Sequence, residues 1–102
     1  MRKPVRDGDC YRKAGSFVLD CGRDGDVKLV HGNVASLPQD GPVNHAWVEQ
    51  GPMVLDLSVG KPRVFVDRLM YYERYKARPV AKYTVLEAAQ LLLKYKHWGP
   101  WD

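Results

Sequence analysis

Cysteine is scarce in this chain, with two among 102 residues, and their placement argues against a disulfide scaffold. Cys10 and Cys21 fall at opposite ends of one expected helix, about 16 Å apart at 1.5 Å per residue, beyond the reach of an S–S bond. No apolar run approaches the roughly 20 residues that a membrane helix needs, so no membrane partner is expected. The opening Met1-Arg2-Lys3-Pro4-Val5-Arg6-Asp7 has no apolar signal region, which points to a cytoplasmic protein. Zinc-ligand spacings, phosphate loops and repeats are missing, and neither a metal nor another cofactor is expected. A large charge excess is missing as well, since 16 Lys and Arg against 12 Asp and Glu leave a net +4. This mild excess is no nucleic-acid signature, and the basic residues Arg2, Lys3, Arg6, Lys61, Arg63, Arg74, Lys76, Arg78 and Lys82 read as a solvated surface, with contact to an acidic partner as the alternative.

What is present suffices for a single domain over residues 1–102, because a chain of this length buries about 60–70% of its unfolded surface. The first informative segment is Asp7-Gly8-Asp9-Cys10-Tyr11-Arg12-Lys13-Ala14-Gly15-Ser16-Phe17-Val18-Leu19-Asp20-Cys21-Gly22. Cys10, Ala14, Phe17, Val18 and Cys21 recur by threes and fours as one buried helical stripe. Asp9 is the expected N-cap and Gly22 the expected C-terminal turn, which places Cys10 in the first turn. That position matters because only the thiolate is a strong nucleophile. A helix N-terminus or a neighbouring imidazolium favours it over the thiol.

The second segment is Pro42-Val43-Asn44-His45-Ala46-Trp47-Val48-Glu49-Gln50-Gly51-Pro52-Met53-Val54-Leu55-Asp56-Leu57-Ser58, two β-rich runs about a Gly-Pro turn. Strand alternation puts His45, Trp47 and Glu49 on one face, and Val54 with Asp56 on one face of the return strand. A turn centred on Gln50-Gly51 sets His45 opposite Asp56, within reach of an imidazole–carboxylate hydrogen bond. The other ring nitrogen would then face Cys10.

Gly8-Asp9-Cys10 with Ala14, His45-Ala46-Trp47-Val48-Glu49, and Val54-Leu55-Asp56-Leu57-Ser58 together resemble the transglutaminase-like superfamily of papain-fold cysteine enzymes. The resemblance covers roughly residues 8 to 58. It implies that Cys10 attacks a carboxamide or peptide carbonyl, that His45 shuttles the proton, and that Asp56 orients the imidazole. Tyr11 stands where several such families carry Trp. The first nine residues hold neither Gln nor Trp to complete an oxyanion hole, which leaves backbone N–H groups, including that of Cys10, and the side chains of His31 and Gln39 as candidates. Tyr11, His31 and Trp47 are the candidate substrate-binding residues.

Along the remainder, residues 26–32 read as a strand and 33–41 as a loop. Val66 to Tyr75 has helical spacing, Pro79 to Tyr83 reads as a strand, and Thr84-Val85-Leu86-Glu87 is a capping box opening a last helix. Glu49 reads as a solvated strand charge, and Tyr71 with Tyr72 as packing residues. The aromatic tail, with Trp98 and Trp101, is expected to fold back onto the domain, since exposing it would forfeit apolar burial. The expected architecture is α+β, a reduced papain-like fold with the cysteine helix packed on an antiparallel sheet. The expected function is a cysteine hydrolase or acyltransferase acting on a peptide or glutamine-type amide, with a protein or peptide as substrate. The alternative is a non-catalytic protein-binding module on the same fold, and the oligomeric state stays open.

Overall fold

A computed structural model of the chain describes residues 6–21, 26–35, 43–57, 64–99 and 101, and side chains for these except at 6–9, 21, 64 and 65. The elements run α1 (Arg6–Cys21), β1 (Val27–Val34), β2 (Val43–Gln50), β3 (Met53–Asp56), β4 (Val64–Asp67), α2 (Arg68–Tyr75), β5 (Arg78–Tyr83) and α3 (Val85–Tyr95). The five strands form one antiparallel sheet in the order β4-β3-β2-β1-β5. The fold is α+β with the cysteine helix on the sheet, as the alternation and periodicity require.

Strand alternation divides the core between the two faces of the sheet. Val27, Leu29, Ala46, Val48 and Leu55 turn toward α1 and α3, where they pack with Cys10, Tyr11, Ala14, Val18, Ala88 and Trp101. Val30, Trp47 and Val54 turn the other way and pack with Tyr71 of α2 and with Ala77. Trp101 is buried and Trp98 half-buried, so the tail does fold back, with Trp101 Nε1 donating to the His97 carbonyl at 2.7 Å.

Three boundaries differ from the sequence reading. α1 begins at Arg6, one turn ahead of the expected Asp9 cap, so Cys10 lies in the second turn; the expected Gly22 terminus lies outside the described residues. The segment expected to open a helix at Val66 is first a strand, because Val64–Asp67 completes the sheet beside β3. Helix α2 starts only at Arg68, where the Asp67 carboxylate accepts from the N–H groups of Leu69 and Met70, a favourable N-cap. The hairpin turns at Gly51-Pro52, one residue later than expected, and Gly51 takes a φ of +57° that favours glycine. The Thr84–Glu87 capping box forms as expected.

β5 closes the sheet as an edge strand, where Pro79 costs no ladder bond in the interior. Its pairing with β1 shifts register between His31 and Gly32. There the backbone comes so close that a Cβ on Gly32 would sit 2.3 Å from the Arg78 carbonyl oxygen. Among the described residues, no helix is long and apolar enough to cross a membrane.

Candidate active site

The site grows from the first half of β2. This strand pairs with β1 along its whole length, but with β3 only over Val48–Gln50. Along the stretch before Val48, a side chain from the α1 layer meets one from the opposite face of the sheet. Cys10 comes from α1, which packs against β2. His45 comes from β2 itself, on the face of Trp47 and Glu49.

Continuing the observed register past Val48↔Leu55 sets Asp56 opposite Trp47, not His45. The one-residue displacement of the turn moves the pairing by two residues. A two-residue shift keeps every side chain on its expected face, and diagonal neighbours remain within reach of long side chains. His45 Nε2 accordingly lies 3.0 Å from Asp56 Oδ2. The imidazole also hydrogen-bonds the Cys10 side chain. With Nε2 facing the carboxylate, Nδ1 is the nitrogen left for sulfur.

Asp56 is almost wholly buried and the His45 side chain retains 14% of its exposure. Burial alone would make the imidazole harder to protonate. Its hydrogen bonds to Asp56 and Cys10, with the negative charge there, outweigh that effect and raise its pKa to about 9. His45 is therefore an imidazolium at neutral pH, balanced by the carboxylate on one side and facing sulfur on the other.

A fourth side chain enters from α2. The Tyr71 hydroxyl donates to the same Asp56 Oδ2 at 2.5 Å. Burial and the adjacent carboxylate hold this phenol well above its ordinary pKa, so it stays a donor. Next to it, Tyr72 donates to Glu49, which also accepts from Trp47 Nε1 at 3.1 Å and Lys82 Nζ at 3.0 Å. Arg68 adds an ion pair at 3.7 Å. Glu49 is thus buried, contrary to its reading as a solvated strand charge. Burial would raise its pKa, but the donors from Tyr72, Lys82 and Trp47 bring it below the ordinary glutamate value.

The candidate substrate residues Tyr11, His31 and Trp47 are all buried. Trp47 has no exposed surface, and its ring centre lies 6.1 Å from that of His45 and 5.5 Å from that of Tyr71. Tyr11 and His31 are buried together on the opposite face, ring to ring at 4.6 Å, and Trp101 and Tyr83 flank His31 at 5.0 and 5.1 Å. His31 is therefore held in an aromatic cluster with the tail. Gln39 lies outside the described residues. The early start of α1 also bears on the oxyanion hole. In a helix that begins at Arg6, the N–H of Cys10 pairs with the Arg6 carbonyl, which commits a donor that a first-turn cysteine would have kept free.

The pattern of the sequence marks Cys10, His45 and Asp56 as one group and Tyr71 only as a packing residue. Nothing local distinguishes a tyrosine that packs from one whose hydroxyl reaches a buried carboxylate on another element. Glu49 was more accessible to inference, since alternation already placed it on the face of His45 and Trp47. Among the described residues no group of three or more His, Cys, Asp and Glu side chains is arranged to hold a metal ion. No family model, curated protein or solved structure matches the chain.

Proposed function

We propose that the protein is a thiol-dependent hydrolase of the transglutaminase-like, papain-fold kind, acting on a peptide or glutamine-type amide. The observation that carries the reading is one imidazole hydrogen-bonded both to the Asp56 carboxylate and to the Cys10 side chain. Residue types, order along the chain and pairing are those that covalent acyl transfer uses.

In this reading Cys10 sulfur, as thiolate, attacks the amide carbonyl carbon. A C–S bond forms, the C–N bond breaks, and the His45 imidazolium gives its proton to the departing amine. A water then attacks the thioester, His45 takes the proton from that water, the C–S bond breaks, and the acid product leaves with the thiolate and imidazolium restored. Asp56 keeps the imidazole in one orientation and offsets its positive charge throughout. Water is the favoured acceptor over an amine, because a domain this small has few loops with which to exclude it.

The test is iodoacetamide alkylation of Cys10 against pH, separated from Cys21 by mass spectrometry, in the natural chain and in His45→Ala. Rapid labelling below about pH 7 that His45→Ala abolishes supports the activated pair. Labelling that rises only near the free-thiol pKa of roughly 8.5 and ignores His45 overturns it. One observation favours the second reading, a protein-binding module on the same fold: Cys10 is only 4% exposed.

A further inference from the structure

We propose that Tyr71 is a positioning residue of this site, holding the Asp56 carboxylate so that it stays aimed at His45. The inference deepens the catalytic reading and rests on it for the role of the Cys10–His45–Asp56 unit.

Geometry makes the case. Asp56 is the last residue of β3 and lies diagonal to His45, so the strand pairing alone does not fix where its carboxylate points. Both described bonds converge on one oxygen, Oδ2, from His45 Nε2 at 3.0 Å and from the Tyr71 hydroxyl at 2.5 Å. A short hydrogen bond to an ionised acceptor is among the stronger ones, and here it comes from the layer facing away from α1.

Tyr71 is itself well fixed. It is 2% exposed, and its ring packs against Trp47 at 5.5 Å and Tyr75 at 5.0 Å. Helix α2 is pinned at its start by the Arg68 N–H donating to the Pro52 carbonyl at 2.8 Å, and at its end by the Ala77 N–H donating to the Tyr72 carbonyl at 2.9 Å. Its start is therefore tied to the turn of the same hairpin that carries His45 and Asp56. The titratable groups facing this unit are Cys10 from α1, His45 from β2, Asp56 from β3 and Tyr75 from α2.

The neighbouring Tyr72 supplies an internal control. It sits on the same helix and donates to a buried carboxylate of the same sheet face, but that carboxylate belongs to Glu49.

The experiment is an NMR titration of the His45 ring in the natural chain, Tyr71→Phe, Tyr72→Phe, Asp56→Asn and the Tyr71→Phe/Asp56→Asn double variant. Tyr71→Phe is expected to lower the His45 midpoint by about one unit or more, as the carboxylate loses its aim. Tyr72→Phe is expected to leave it in place. On the Asp56→Asn background, Tyr71→Phe is expected to add nothing, the mark of two residues acting through one bond. A midpoint unchanged or raised in Tyr71→Phe, an equal fall in Tyr72→Phe, or a full Tyr71→Phe effect without the Asp56 charge overturns the proposal.

A second readout leaves Tyr71 intact. Its hydroxyl proton is expected as a downfield, slowly exchanging resonance that moves upfield in Asp56→Asn, since a neutral amide is the weaker acceptor. A resonance indifferent to Asp56 overturns the proposal as well. The failures are separable: an inert Cys10 in the natural chain retires the catalytic reading, whereas a His45 midpoint indifferent to Tyr71 retires this one.

Discussion

His45 and Asp56 meet diagonally across the β2–β3 hairpin, with Nε2 3.0 Å from Oδ2 although the register sets Trp47, not His45, opposite the aspartate. The contact tolerates this offset because it was moved by two residues, an even number. An odd shift would have turned Asp56 to the α1 face and left it among the aliphatic side chains there.

The first prediction concerns pH. The His45 pKa of about 9 in the fold lies above the 6.5 of an unfolded chain, so the pair stabilises the fold fully below about pH 6.5. That contribution declines from there and is lost as pH rises through about 9. Its size is at most about 3 kcal/mol, from 1.36 kcal/mol per unit. Urea midpoints at pH 6, 7.5 and 9.5 should fall across this window in the natural chain, and His45→Gln should flatten the fall. An identical decline in both chains would show that another group is responsible.

The second prediction removes the shared acceptor. Asp56→Ala leaves the buried Tyr71 hydroxyl without Oδ2 and takes the negative charge from beside the imidazole. An unsatisfied buried polar group costs about 1–3 kcal/mol, and the chain should be destabilised by at least that amount at pH 7, since the stabilisation from the charged pair with His45 is lost as well. The His45 midpoint should fall toward or below 6.5, because burial, no longer opposed by the carboxylate, acts to lower it. Chemical unfolding and ring titration check the two effects separately.

How far the sequence foretold this site depends on the range of each signal. The helix of Cys10 and the hairpin of His45 and Asp56 rest on periodicity and turn residues within about 15 positions, and both were legible. β4 was not, because Val64–Asp67 is short and is a strand only by virtue of its pairing with β3. The start of α1 was missed because Asp9 has the chemistry of a cap wherever it stands. Tyr71 and Glu49 were misjudged for a common reason. Their roles come from partners on other elements, α2 to β3 for one and β2 to α2 and β5 for the other, and a one-dimensional pattern does not register such meetings.

The third prediction tests Glu49 under acid. Its pKa lies below the ordinary value, so it contributes stability above about pH 4.5 and loses it as pH falls through its folded value. Glu49→Gln should remove that part of the acid-unfolding transition, and at pH 7 it should weaken the fold because the amide NH2 group faces Lys82. Lys82 and Arg68 line an adjoining cavity of about 390 Å³ together with Asp26 and Lys28, so both cations can turn to solvent when the carboxylate is gone. The loss at pH 7 should therefore be small, because the amide oxygen in the place of Oε2 still accepts from Tyr72 and Trp47. An acid transition unaltered in Glu49→Gln would contradict the assignment.

The fourth prediction is steric. Gly32 lies under β5, and a methyl group there would stand 2.3 Å from the Arg78 carbonyl oxygen, 2.9 Å from Pro79 Cα and 2.9 Å from Trp47 Cη2. Two of these neighbours are backbone atoms and the third is a ring with no exposed surface, so none can move aside cheaply. Overpacking of this kind costs about 1–3 kcal/mol. Gly32→Ala should therefore either displace the edge strand or push on Trp47. Amide hydrogen exchange distinguishes the two: faster exchange confined to Ala81 and Tyr83 reports displacement of β5, whereas a shift of the His45 ring resonances reports pressure through Trp47 on the site. A Gly32→Ala chain as stable as the natural one, with neither change, would mean that the approach of β5 to β1 is looser than these distances state.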